Sequence, residues 1–117
     1  MSHVLLIVEP IGQRAARTAA EGREVYARMT RFGESLQARG KLLAAQSLAS
    51  QANAARVQTR GGQTQVVDGP FAEAKEMIGG FFLLNCANRA EALEIARECP
   101  AAEWATVEVR SLGPCYD

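Results

Sequence analysis

The hydrophobic period of this chain switches from strand-like to helical and back, and then does so again. "HVLLIVE", His3 to Glu9, is short, β-rich and almost continuously apolar, the pattern of a central strand covered on both faces. "TAAEGREVYARMTRFGESLQARG" then places Val25, Met29, Phe32 and Leu36 on one helical face. Thr18 and Glu21 have the spacing of a capping box, and Gly40 supplies a helix stop. "KLLAAQSLA", Lys41 to Ala49, follows that stop too promptly for a second long helix and reads as a strand. A third strand lies in "GGFFLLNCA". Asn88 and Glu91 repeat the capping pattern before a helix whose inner face is Ala92, Ile95, Ala96 and Cys99, ended by Pro100. "WATVEVRSL" alternates, with Ala105, Val107 and Val109 on one side and Trp104, Thr106, Glu108 and Arg110 on the other.

Between the second and third of these strands lies "RVQTRGGQTQVV". A two-residue turn at Gly61 and Gly62 sets Val57 opposite Val66, Gln58 opposite Gln65 and Thr59 opposite Thr64, a β-hairpin with a polar outer face. The element order is therefore strand, helix, strand, hairpin insertion, strand, helix, strand. That order predicts one α+β domain over residues 1–117, of the ferredoxin-like split βαβ type with a β-hairpin insertion. In such a fold both helices cover one face of the sheet. Leu5, Ile7, Phe81 or Phe82, and Trp104 are the candidates for the other face, and a homodimer of facing sheets would bury them.

Composition narrows the function. Lys plus Arg and Asp plus Glu are thirteen each, so the electrostatic footprint of a protein that grips nucleic acid or an anionic membrane is missing. No stretch reaches the length of a membrane span, and "HVLLIV" lacks the flanks of a signal peptide. Three cysteines, Cys86, Cys99 and Cys115, with no CxxC spacing suggest neither a disulfide framework nor a zinc site and fit a reducing cytoplasm. There is no P-loop, no GxGxxG after a strand, no GxSxG elbow and no metal triad, so no cofactor and no metal is implied.

The densest polar stretch is "DGPFAEAKE", Asp68 to Glu76, immediately before the most hydrophobic segment. Asp-Gly-Pro favours a turn, and "PFAEAKEM" can follow it as a short helical turn with Asp68 as its cap, while Gly79 and Gly80 let the chain reverse into the next strand. The same geometry can gather Asp68, Glu73, Lys75 and Glu76 at the mouth of a pocket, where a carboxylate beside a lysine suits acid/base chemistry. The plainer reading makes Asp68 a turn residue and pairs Lys75 with Glu73 or Glu76.

"VVDGPFAEAKEMIGGFFLL", with the flanking "LQARGKLLAAQSL" and "TVEVRSL", resembles the DGPF branch of the YCII-related family over almost the whole chain. The resemblance implies a dimeric α+β barrel of ferredoxin-like protomers in small bacterial cytoplasmic proteins, often encoded near extracytoplasmic-function sigma factors. Some relatives in the wider family use a His-Asp pair; this chain has only His3, near its N-terminus. The site expected from sequence is thus a dimer cavity that takes a small organic molecule. Asp68 and Lys75 are its candidate catalytic residues, and Glu73, Glu76, Trp104, Glu108 and Arg110 its candidate ligand-binding residues. Trp104 would form an aromatic wall and Arg110 would orient an anionic or carbonyl group. The alternatives are a non-catalytic regulatory module of a sigma-factor pathway and a structural dimer.

Overall fold

In the computed structural model, which describes residues 2–116, strand β1 (Ser2–Pro10) runs through the middle of a four-stranded antiparallel sheet. After helix α1 (Ala19–Ala38) come β2 (Leu42–Ser47), the hairpin of β3 (Ala55–Arg60) and β4 (Gln63–Asp68), and β5 (Glu76–Asn85). Helix α2 (Arg89–Glu98), a 3-10 turn over Pro100–Glu103 and β6 (Thr106–Ser111) follow. The sheet order is β2-β5-β1-β6, and the hairpin forms a separate two-stranded sheet. This is the α+β, ferredoxin-like arrangement that the element order predicts, with the hairpin inserted between β2 and β5.

Local chemistry fixes the ends of the elements. Thr18 accepts from the Glu21 amide and the Glu21 carboxylate accepts from the Thr18 amide, so the expected capping box is complete. At the other end of α1, Gly40 has φ +69°, and the Lys41 amide bonds back to the Leu36 carbonyl while that of Gly40 bonds to Gln37. Asn88 caps α2 through the Glu91 amide, but Glu91 reaches past it to the Ala87 amide. In the hairpin, Val57 faces Val66 and Thr59 faces Thr64 in the predicted register, with the two threonine hydroxyls 2.9 Å apart. Positive φ at Gly61 and Gly62 makes its two-residue turn possible.

The core lies on one face of the sheet. Leu5, Ile7, Phe82 and Leu84 point at Phe32 and Leu36 of α1 and at Ala92, Ile95 and Ala96 of α2. Phe32 and Phe82 meet edge to face with ring centroids 5.1 Å apart. The opposite face carries Val4, Leu6, Val8, Phe81 and Leu83, which are only half-buried, with Glu108 opposite Leu6 and Arg110 opposite Val4. Leu5, Ile7, Phe82 and Trp104 therefore belong to the helix side, not to the open face as expected; of the sequence candidates Phe81 alone lies there. The first strand is apolar on both sides, so its periodicity carries no phase.

Two further expectations change. No helix follows Pro70: the chain makes a single reverse turn closed by the Ala74 amide on the Phe71 carbonyl, and Glu76 already belongs to β5. Gly79 and Gly80 lie inside β5 and do not reverse the chain. Trp104 caps the 3-10 turn, so the alternation of β6 begins only at Thr106 and leaves the indole on the side away from Glu108 and Arg110.

Cys86 and Cys99 sit in the core, 3% and 2% exposed, and Cys115 is exposed. Burial pushes the Cys99 thiol up to about 11 and also raises that of Cys86. Both thiols stay protonated in the folded chain where unfolded ones near 9.0 would ionise. Folding stability accordingly declines as pH rises from about 9 towards 11. At pH 8 a disulfide reagent such as DTNB is expected to titrate Cys115 alone, and all three cysteines in guanidinium. Fast native reaction of two or more would show that this side of the core opens.

Candidate functional site

The inward positions of β1 are His3, Leu5, Ile7 and Glu9, and the last of these places a carboxylate, 7% exposed, at the edge of the core. A buried carboxylate needs a partner. The β1–α1 loop supplies it: Arg14 grips Glu9 with a fork, Nε to Oε1 at 2.6 Å and Nη2 to Oε2 at 3.2 Å. The same guanidinium donates to the Leu48 carbonyl at 2.8 Å and the Gly79 carbonyl at 3.4 Å, tying the loop to the ends of β2 and β5.

Room for that pair comes from the two glycines of β5. Ile7 faces Gly80 and Val8 faces Ile78, so Gly79 is an extra residue in the ladder, a β-bulge. A Cβ on Gly79 would fall well inside van der Waals contact with Glu9 Oε2, and one on Gly80 would lie 2.9 Å from the Gln46 carbonyl oxygen. The bulge turns the Gly79 carbonyl to accept both Arg14 and, at 2.9 Å, the Leu48 amide.

Above this floor the N-terminal half of α1 stands away from the sheet. Gly22, Val25, Tyr26, Met29, Thr30 and Gly33 fall at helical spacing along one wall of a cavity of about 660 Å³, whose floor is Ile7, Glu9, the two glycines and Phe82. Arg17 and Trp104 close one side, and the guanidinium of Arg17 lies 5.8 Å from the indole centroid. Only Phe32 and Leu36 of α1 are buried, so the helix is seated by its C-terminal half. Arg28 also lies over Trp104 and pairs with Glu103, which holds the Glu103 carboxyl below its ordinary range. The enclosure can hold a drug-sized organic molecule with a mostly apolar body beside a buried ion pair.

The residues singled out in the sequence are dispersed. Asp68 ends β4, exposed, and its carboxylate has no hydrogen bond or ion pair among the described residues. Gly69 and Pro70 are joined by a cis peptide, and the Gly69 amide donates to the Ala54 carbonyl at 2.6 Å. A Cβ on Gly69 would strike the Gln51 carbonyl, so that position is closely packed. Phe71 is buried beneath the Arg56 guanidinium, 3.7 Å from its ring centroid. Glu73 pairs with Arg56 at 3.6 Å and not with Lys75, whose carbonyl accepts the Ile11 amide. Glu76 shares a shallow groove with Arg56 and Phe71, Glu108 and Arg110 lie on the open face, and Trp104 alone reaches the cavity.

His3 is not at the surface, as a residue so near a terminus would suggest. It is 2% exposed on the Leu5 and Ile7 face, with Nδ1 3.1 Å from Cys86 Sγ. Among the described residues no three His, Cys, Asp or Glu side chains cluster as a metal would need, and no helix is long and apolar enough to cross a membrane. Glu9, Arg14 and Arg17 were passed over in the sequence, although one signal was present: Glu9 has the parity of Leu5 and Ile7, and an arginine follows five residues later. Gly79→Ala is expected to cost about 1–3 kcal/mol in denaturant unfolding, since the added methyl must displace the half-buried Glu9–Arg14 pair. Gly33→Ala, whose Cβ would sit 3.5 Å from the Phe82 ring, should be neutral or gain up to ~1 kcal/mol from helix propensity. Equal effects of the two would refute the close approach at Gly79.

The YCII-related domain matches residues 1–115 of the chain. The uncharacterised protein R00369 of Rhizobium meliloti (strain 1021) is 44% identical over 75 residues, which cover 62% of this chain and 60% of that protein. The chain thus spans less than two thirds of that relative's length. With the family matched nearly end to end and the ferredoxin-like sheet in place, the chain belongs to the YCII-related family.

Proposed function

We propose that this YCII-related protein, a member of the DGPF branch and a single cytoplasmic domain, binds a small organic molecule between α1 and the sheet. The observation that carries the reading is the cavity of about 660 Å³ with the Glu9–Arg14 pair at its floor. Its lining is mixed, with Val25, Met29 and Phe82 beside Thr30, Gln46 and Ser47, and its volume falls in the range of small-molecule sites. Ligand-observed NMR with a library of small aromatic and aliphatic compounds tests this. Gly22→Leu, whose Cβ meets nothing within 4 Å, puts a bulky side chain into the cavity from its wall and should weaken the hits of the wild-type chain about tenfold or more. Hits that survive it place the ligand elsewhere, and turnover of a hit would separate an enzyme from a binding or regulatory module.

A second reading puts the ligand between two copies. It is favoured by the half-covered apolar side chains of the open face and by Val57 and Val66 of the hairpin, 67% and 66% exposed. In that homodimer, a dimeric α+β barrel, Asp68 would act as acid or base with Lys75 beside it, and Glu73, Glu76, Glu108 and Arg110 would contact the ligand. Leu6→Asp, opposite Phe81 on the open face, should convert a dimer to a monomer in sedimentation. If the wild-type chain is itself a monomer, the second reading fails. If Leu6→Asp dissociates the dimer and removes the hits that Gly22→Leu leaves intact, the second reading replaces the first.

A further inference from the structure

We infer that the molecule held under α1 is an organic anion with an aromatic or branched apolar body, and that Arg17 binds its charged group. This inference rests on the cavity reading above. Three charged side chains line the cavity, Glu9, Arg14 and Arg17, and they leave one positive charge in excess. Arg14 is not free to meet a ligand. Its Nε and Nη2 hold Glu9, and its Nη1 and Nη2 also serve the Leu48 and Gly79 carbonyls, so four of the five donors of a guanidinium are engaged. Glu9, gripped by that fork, is neutralised where it sits.

Arg17 differs. Among the described residues its guanidinium makes one hydrogen bond, from Nη2 to the Gln13 Oε1 at 3.1 Å, and no carboxylate lies within ion-pair distance of it. Gln13 is itself anchored by its Nε2 on the Trp104 carbonyl, at 2.7 Å, so the guanidinium is positioned beside the indole at the cavity wall. A half-buried arginine with donors to spare, next to apolar surface, matches an anion whose body packs on that surface. The apolar side is supplied by Val25, Met29, Phe82 and Trp104. Glu21 and Glu24 line the adjoining surface groove with Arg17 but neither makes an ion pair with it among the described residues, so an anion is the ligand class that engages its remaining donors.

Two fluorescent probes of nearly the same hydrocarbon shape separate the possibilities: 8-anilinonaphthalene-1-sulfonate, an anion, and N-phenyl-1-naphthylamine, its neutral counterpart. The wild-type chain should bind the sulfonate about tenfold more tightly than the amine. Arg17→Gln should remove about that factor for the sulfonate and leave the amine within about twofold, Arg17→Lys should restore part of it, and Gly22→Leu should weaken both about tenfold or more. Added salt should weaken the sulfonate alone. If Gly22→Leu displaces both probes but Arg17→Gln leaves the sulfonate unchanged, the cavity stands and the anion is wrong. If neither probe binds, or both survive Gly22→Leu, the cavity reading falls and the inference falls with it.

Discussion

A carboxylate at the end of a buried strand face sets the conditions for everything around it. Glu9 continues the inward row of His3, Leu5 and Ile7, and a carboxylate placed there needs a partner. Arg14 satisfies it, but only because the bulge at Gly79 removes a side chain from the space the carboxylate occupies and turns a carbonyl towards the guanidinium. The further bond to the Leu48 carbonyl carries the constraint to the end of β2. One ion pair thereby ties the β1–α1 loop to two strands, just ahead of the Thr18 cap at which α1 begins. Its C-terminal half is seated separately by Phe32 and Leu36. The cavity is the space between those two points of attachment.

Much of the fold could be read from the residues because the signals concerned are local. The Thr18 capping box, the Gly40 stop and the hairpin register each depend on side chains a few positions apart, and each recurs in the structure. Facing directions are another matter. "HVLLIV" is apolar at odd and even positions alike, so nothing within it tells which set meets the helices; that phase is set by Phe32, Leu36 and Ile95, far away in sequence. Trp104 fails for a related reason. Alternation was extended two residues too far, across a 3-10 turn that breaks the period and carries the indole to the other side.

The site shows the same division between conspicuous and quiet residues. "DGPF" draws attention through composition, and its local form follows from packing: the Gly69 amide on Ala54, the close approach to Gln51, and Phe71 under Arg56. Those contacts place Asp68 and Lys75 at the surface of one copy, so chemistry from them needs surfaces that a single copy does not bring together. Glu9 and Arg14 carry no motif, and Gly79, though part of the conspicuous "GGFF", gives no sign there of its partner. Their meaning appears only when β1 and β5 lie side by side with a bulge between them, a pairing of residues about seventy apart that no local rule contains.

The open volume under α1 carries a cost in packing of its own. Interiors are close-packed, and apolar atoms that line a void lose contacts they would otherwise have. Gly22 offers a remedy, since an added Cβ there meets nothing within 4 Å and any residue but proline would favour the helix over glycine. Gly33, in ordinary contact distance of Phe82, offers a second. Two glycines on the inner face of a helix that could be both better filled and more helical impose a stability cost with no local structural return. On the reading proposed above, a ligand in that space would supply the missing contacts and would meet Arg17 at the wall.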